Sequence, residues 1–266
     1  MYSYDFFEWI AFFIAYCFIG WAGESLYVSL EHKKWVNRGF LHGPFLPIYG
    51  FGAIIMLLST IPVRDSIPLV FIFGMLGATI LEYLTGYIME QIFHVKYWDY
   101  TYEPFNLKGY ICLGCSITWG LCSILLTAFI HKPTERLVLA IPDLILIILD
   151  IAFLIYFTWD IIMSAEAAFG LKKIIMESEQ IQHLQKRLDV FIAFAEDDRE
   201  EFQRNLAESR EELDKKLAEA KERLSKNLAK RTAKARSIVR RNPGATIRKH
   251  SLQFKSLEEF FNNLSH

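Results

Sequence analysis

Five stretches of this chain, at 6–30, 44–63, 67–93, 109–130 and 136–163, approach or exceed the roughly 20 apolar residues that a helix needs to cross a bilayer. Nothing else in the sequence constrains the fold as hard. Inside hydrocarbon the backbone groups can bond only to one another, so segments of this length must be helical. The fold class expected is all-α, a polytopic membrane bundle of about five transmembrane helices.

The chain is 53% hydrophobic and yet 22% charged, and the two characters are segregated along it. Residues 1–165 read as the transmembrane domain and 166–241 as a long cytoplasmic amphipathic helix of coiled-coil-like character. The remainder, 242–266, reads as a flexible tail with a short helix. A cleaved signal peptide would open on a basic stretch, whereas Asp5 and Glu8 stand at the start of the first segment, so that segment is expected to stay.

Orientation follows from the lysines and arginines of the short connections. Lys33, Lys34, Arg38, Lys96, Lys108, Lys172 and Lys173 fall on one side, and Arg64, Lys132 and Arg136 on the other. The balance places the N-terminus outside and the C-terminus in the cytoplasm of a multi-pass cell-membrane protein.

In the third segment Gly74, Ala78, Glu82, Gly86 and Glu90 recur every four residues and form one helical stripe. Small residues let membrane helices approach closely, so both glutamates are expected at a helix contact, away from lipid. Beyond Gly170 the apolar period changes to eleven: Leu184, Ala195, Leu206, Leu217, Leu228 and Val239, with Phe191, Phe202, Leu213, Leu224 and Ala235 as a parallel series. A period of eleven predicts a nearly straight rod, on the order of 90 Å long over 180–240.

Charge is graded along that rod, with nine acidic and three basic residues over 196–214, then thirteen basic and two acidic over 215–249. Homo-oligomeric pairing through 180–240 would match acid with base, and the basic 215–249 segment would equally suit anionic lipid headgroups of the adjoining bilayer. Nucleic acid is the less favoured partner. "NPG" at 242–244 ends the rod, and Ser256 with Glu259 has the spacing of a capping box.

An ionisable side chain at membrane depth costs a few kcal/mol and calls for a reason. Asp150 stands midway through the fifth segment and shares a face with Asp143. It reads either as a protonated carboxyl tying two helices together or as a proton-relay or substrate group.

A second polar group gathers at the cytoplasmic ends of the segments, where Glu24, Asn37, Arg38, His42 and Tyr49 would meet Glu82 and Glu90. Trp98, Asp99 and Asn106 of the following loop, and Ser116 and Trp119 of the fourth segment, fall at the same level. Arg38 suits bidentate binding of phosphate or carboxylate, and the carboxylates could hold that arginine, bind a cation or exchange protons. A binding pocket and a salt-bridged knot that fixes the loops are both consistent with the set. Cys112 and Cys115 have redox or half-zinc-site spacing, but no second Cys or His pair accompanies them. No metal site and no cofactor is expected, and no residue is assigned a catalytic role.

The run Asn37, Arg38, Gly39, Phe40, Leu41, then Gly43, Pro44, Pro47, Ile48, Tyr49 and Gly50, resembles a bacterial family of multi-pass proteins, the CmpB-like group of ABC transporter permeases. The resemblance continues through Glu82, Thr85, Gly86, Glu90, Trp98, Asp99, Tyr100, Phe105 and Asn106. Gly109, Cys112, Leu113, Ser116, Trp119 and Gly120 complete it, within about the first 165 residues. It implies a transport-related component. The sequence holds no G-x-x-x-x-G-K-[ST] phosphate loop, so a permease reading requires a separate ATPase subunit. A membrane-embedded enzyme or lipid-headgroup binder is the alternative reading, and a membrane-anchored helical scaffold the second.

Overall fold

A computed structural model describes residues 4–194 and 200–247. α1 (Phe6–His32) opens with a reciprocal cap, in which Asp5 accepts from the Glu8 amide at 2.8 Å and Glu8 accepts from the Asp5 amide at 2.6 Å. α2 (Pro47–Thr60) starts on a proline, whose missing amide costs least in a first turn, and runs into a 3-10 turn at Ile61–Val63. α3 (Ile67–Phe93) and α4 (Leu113–Leu125) follow. α4 passes through a single π turn (Leu126–Ile130) into α5 (His131–Leu139). α6 (Asp143–Phe194) and α7 (Glu200–Arg241) complete the helices, and a two-residue ribbon pairs β1 (Val95–Lys96) with β2 (Thr246–Ile247), antiparallel.

α1, α3, the α4–α5 run and α6 are long and apolar enough to span a membrane, and their outer faces carry exposed leucine, isoleucine and phenylalanine as lipid contact requires. The protein is a multi-pass, all-α membrane bundle. The expected stripe of α3 is its buried face: Gly74, Ala78, Glu82, Gly86 and Glu90 are all buried. A Cβ at Gly74 would lie 2.2 Å from that of Ser123 on α4, so only glycine permits this approach.

The second expected span departs from the prediction. Helix forms only from Pro47, and Pro44 lies outside it. The preceding residues run back beside α1 as irregular chain: the Val36 amide bonds Ser29 Oγ, the Arg38 amide bonds Ser25 Oγ, and the Leu46 amide bonds the carbonyl of Cys17, midway along α1. Irregular backbone at such depth persists only when protein groups satisfy it. Asp160 of α6 does so, accepting from the amides of His42 (3.0 Å) and Gly43 (2.8 Å), while Asn37 Nδ2 donates to the His42 carbonyl at 2.7 Å. A Cβ at Gly43 would fall 1.9 Å from the Tyr156 hydroxyl, so this close passage requires glycine.

The fourth and fifth spans are also displaced from their expected limits. The fourth begins at Leu113 and continues to Leu139, and the fifth begins at Asp143. Pro133 has no amide to donate backward into the helix, and the π turn immediately precedes its turn.

The rod expected over 180–240 is a hairpin. α6 continues as one helix of 52 residues from the membrane part to Phe194, and α7 returns along it. Ile181 and Leu184 pack with Leu213, Leu217 and Ala220, while Leu171, Ile174 and Ile175 pack with Ala235, Ile238 and Val239. The eleven-residue stripe therefore finds an intramolecular partner. Residues 242–247 dock against the base of the bundle, contrary to the expectation of a loose tail from 242: Asn242 and Ala245 are buried and β2 pairs β1. The expected capping box at Ser256 and Glu259, and Ala195 of the stripe, lie outside the described residues.

Candidate functional site

α1 packs on α2, α2 on α3 and α3 on α4, while α1 meets the fourth span chiefly at α5, through Tyr16 and His131. Between α1 and α4 lies a hollow of about 360 Å³ floored by α2 and α3. Its rim carries Ile19 and Tyr27 of α1 and Leu125 of α4, all exposed, so the hollow opens on the outer surface of the helices. Gly23 keeps the α1 side open, since a Cβ there would meet nothing within 4 Å, and Gly20 admits the ring of Tyr49 at a distance no larger residue allows.

A second hollow of about 220 Å³ adjoins the first and shares Glu24, Ile48, Tyr49, Glu82 and Trp119 with it. Arg38, Trp98, Tyr100 and Asn242 belong to this deeper end. Together the two hollows form one chamber that grades from an almost wholly apolar mouth to a somewhat more polar, aromatic end.

Every nitrogen of the Arg38 guanidinium is engaged by the protein. Nε donates to Glu24 Oε1 at 3.0 Å, Nη1 to Asn242 Oδ1 at 2.9 Å and Nη2 to the Tyr97 carbonyl at 3.3 Å. It joins α1, the loop after α3 and the chain after α7. Glu82, 4% exposed, accepts from Trp119 Nε1 at 2.9 Å and from the Tyr100 hydroxyl at 3.3 Å. Burial and the neighbouring Glu82 carboxylate push the Tyr100 phenol up, so it remains a donor at neutral pH. Tyr49 stands over Trp119, ring centres 5.6 Å apart.

The loop after α3 is fixed by Asp99, which accepts from the Thr101 amide (3.0 Å), the Thr101 hydroxyl and the Thr246 hydroxyl (3.0 Å), with Lys96 at 3.6 Å. Burial alone would raise the Asp99 carboxyl. The Thr101 and Thr246 hydrogen bonds and the Lys96 charge together hold it below the usual value. Trp98 Nε1 donates to the Tyr110 carbonyl at 2.9 Å, and Gly86 leaves room for both rings.

Of the residues singled out by sequence, Glu24, Arg38, Tyr49, Glu82, Trp98 and Trp119 line the chamber. The others do not. Asn37 accepts from Trp21 Nε1 at 2.6 Å and shapes the re-entering segment, and His42 faces Asp160 and Ser164 on α6. Asp99 and Asn106 brace the 94–112 loop, the latter by donating to the carbonyls of Thr101 and Glu103. Glu90 is buried on the α3 stripe below the chamber, and Ser116 is half-buried on the first turn of α4. Asp150 is 1% exposed on α6, with one carboxyl oxygen lacking a hydrogen-bond partner among the described residues, and lies outside both hollows.

Four polar positions escaped the sequence reading. Asp160 could have been suspected from Ser164 one turn on. His131 is fully buried at the far end of the chamber, between the hydroxyls of Tyr16 (2.7 Å to Nδ1) and Tyr4 (3.1 Å to Nε2). Tyr4 gives its own proton to Glu135 Oε1 at 2.5 Å, so Nε2–H donates to Tyr4 and bare Nδ1 accepts from Tyr16. The i, i+4 spacing of His131 and Glu135 was the available signal. Asn242 and Arg241 had none beyond the "NPG" stop.

Residues 11–165 match a family model described as "Putative ABC-transporter type IV". The chain belongs to the ABC-transporter type IV family. The matched region of this type IV chain is more than half of its length and runs from within α1 to the membrane part of α6, with every chamber residue except Asn242. No curated protein and no solved structure matches the chain.

Proposed function

We propose that this type IV ABC-transporter chain is the membrane component of a transport system, taking an amphiphile sideways from the bilayer into the chamber between α1 and α4. One observation supports the reading: the hollow opens at exposed Ile19, Tyr27 and Leu125 on the apolar helices and runs inward toward Glu24, Tyr49 and Glu82. A water-soluble solute would not need a mouth in the hydrocarbon layer. The volume of about 360 Å³ lies within the range of small-molecule pockets, which run from about 300 to 1,000 Å³.

The N-terminus lies outside and the C-terminus in the cytoplasm on this reading, because Lys33, Lys34, Lys96, Lys108, Lys172 and Lys173 gather at one end. At that end the α6–α7 hairpin meets the loops, and Lys172 Nζ donates to the Ile92 carbonyl at 2.9 Å. A separate ATPase docks there, since the chain has no phosphate loop of its own.

The test is purification in mild detergent with identification of bound proteins, together with quenching of tryptophan fluorescence by lipids brominated in the acyl chain. Recovery of an ATPase subunit and quenching that is lost in Trp119→Phe are expected. Absence of any ATPase partner, with Trp119 shielded from every brominated chain, would overturn the reading.

A further inference from the structure

The chamber has a charge imbalance. Among the residues that line its two hollows the charged ones are Glu24, Glu82 and Arg38, two carboxylates against one guanidinium. Arg38 is paired with Glu24 at 3.0 Å, with both its other arms on protein acceptors. Glu82 is left as a buried carboxylate with hydrogen bonds but no cation beside it among the described residues.

The indole donors and the cation at this end are engaged by the protein: Trp119 Nε1 is on Glu82, Trp98 Nε1 is on the Tyr110 carbonyl, and each nitrogen of the Arg38 guanidinium donates to a protein acceptor. An anionic head would therefore meet two carboxylates here, and the single guanidinium is already paired with one of them. The rings of Tyr49, Trp98, Tyr100 and Trp119 present the reverse chemistry, since aromatic faces attract ammonium groups. Charge and aromatic walls thus select the same sign.

We propose that the occupant of the chamber is a cationic amphiphile, an alkyl chain ending in a primary or methylated ammonium, with Glu82 as its counter-charge and Tyr49 and Trp119 as its walls. The proposal rests on sideways loading from the bilayer and adds the chemistry of the head. The chain occupies the apolar hollow along Leu81, Leu125 and Leu126, and the ammonium reaches the layer of Glu82. Arg38 does not bind the substrate; it pairs with Glu24 and so leaves Glu82 as the carboxyl group that an ammonium can meet.

The full-length protein in a non-ionic maltoside detergent is titrated with three amphiphiles of one brominated chain and different heads: trimethylammonium, sulfate and glycerol. Quenching of Trp119 is taken as the difference between the protein and Trp119→Phe. The cationic probe is expected to saturate at a concentration at least tenfold below the other two, and Glu82→Gln to raise that concentration tenfold or more. Equal quenching by all three heads, a preference for sulfate or glycerol, or an unchanged cationic titration in Glu82→Gln overturns the head-group proposal while sideways access stands. No saturable quenching by any probe removes the lateral chamber itself. If Glu82→Gln fails to fold, the ranking of the three heads on the unsubstituted protein decides.

Discussion

Arg38 Nη1 donates to Asn242 Oδ1 at 2.9 Å across 204 positions of sequence, and the same asparagine donates from Nδ2 to the Gly39 carbonyl at 3.1 Å. The end of the cytoplasmic hairpin is thereby fastened to the segment that re-enters the membrane bundle.

Replacing Arg38 by methionine strands Glu24 in a partly buried setting and removes three hydrogen bonds. The expected loss is about 3 kcal/mol of stability, read as a lowered unfolding midpoint in detergent. Arg38→Lys recovers less than half of it, because an ammonium cannot span Glu24, Asn242 and the Tyr97 carbonyl with one rigid fork. Equal midpoints for the lysine variant and the original protein would refute the clamp.

Asn242→Ala cuts the fastening from the other side while leaving Arg38 paired with Glu24. About 1–2 kcal/mol of local stability is expected to go, with faster amide hydrogen exchange over 235–247 and little change in α1. Unchanged exchange in that segment would count against the docking of residues 242–247.

Gly43→Ala places a methyl group against the Tyr156 hydroxyl. Overpacking of this kind costs about 1–3 kcal/mol, and the paired change Gly43→Ala with Tyr156→Phe is expected to recover part of it. A midpoint that the alanine leaves untouched would show that the segment does not pass α6 so closely.

Asp99 makes the loop acid-sensitive. Its carboxyl is held below 3.8, its ordinary value, so the folded protein binds the proton less readily than the unfolded chain. The stabilisation is present above that value and is lost as pH falls through the folded one. The midpoint difference between the protein and Asp99→Asn should accordingly be clear near pH 6 and narrow as pH drops below about 4. A difference that stays constant into that acid range would mean the carboxylate is not held by Thr101, Lys96 and Thr246 as described.

The spans were legible because bilayer thickness sets their length, and the α3 stripe because close helix contacts require small residues at a fixed spacing. Residues 37–46 were not legible as a re-entering segment. Their apolar content and prolines read equally well as the start of a helix, and only the Asp160 carboxylate, 117 positions from Gly43, satisfies the irregular backbone. The rod was misread for a related reason: an eleven-residue period reports that a helix has an apolar face, not which helix covers it. The site was half legible. Glu24, Arg38 and Glu82 stood out by charge, whereas the opening between α1 and α4 depends on how two helices distant in sequence diverge, which no local pattern encodes.

α6 is a single helix of 52 residues, on the order of 78 Å at 1.5 Å per residue. It grips the re-entering segment through Asp160 near one third of its length, and it carries the hairpin on the remainder. Such a helix behaves as a lever with its fulcrum at Asp160. A tilt of a few degrees imposed at the far tip would be delivered to His42 and Gly43, four and five residues from Arg38, without any change in the helix itself.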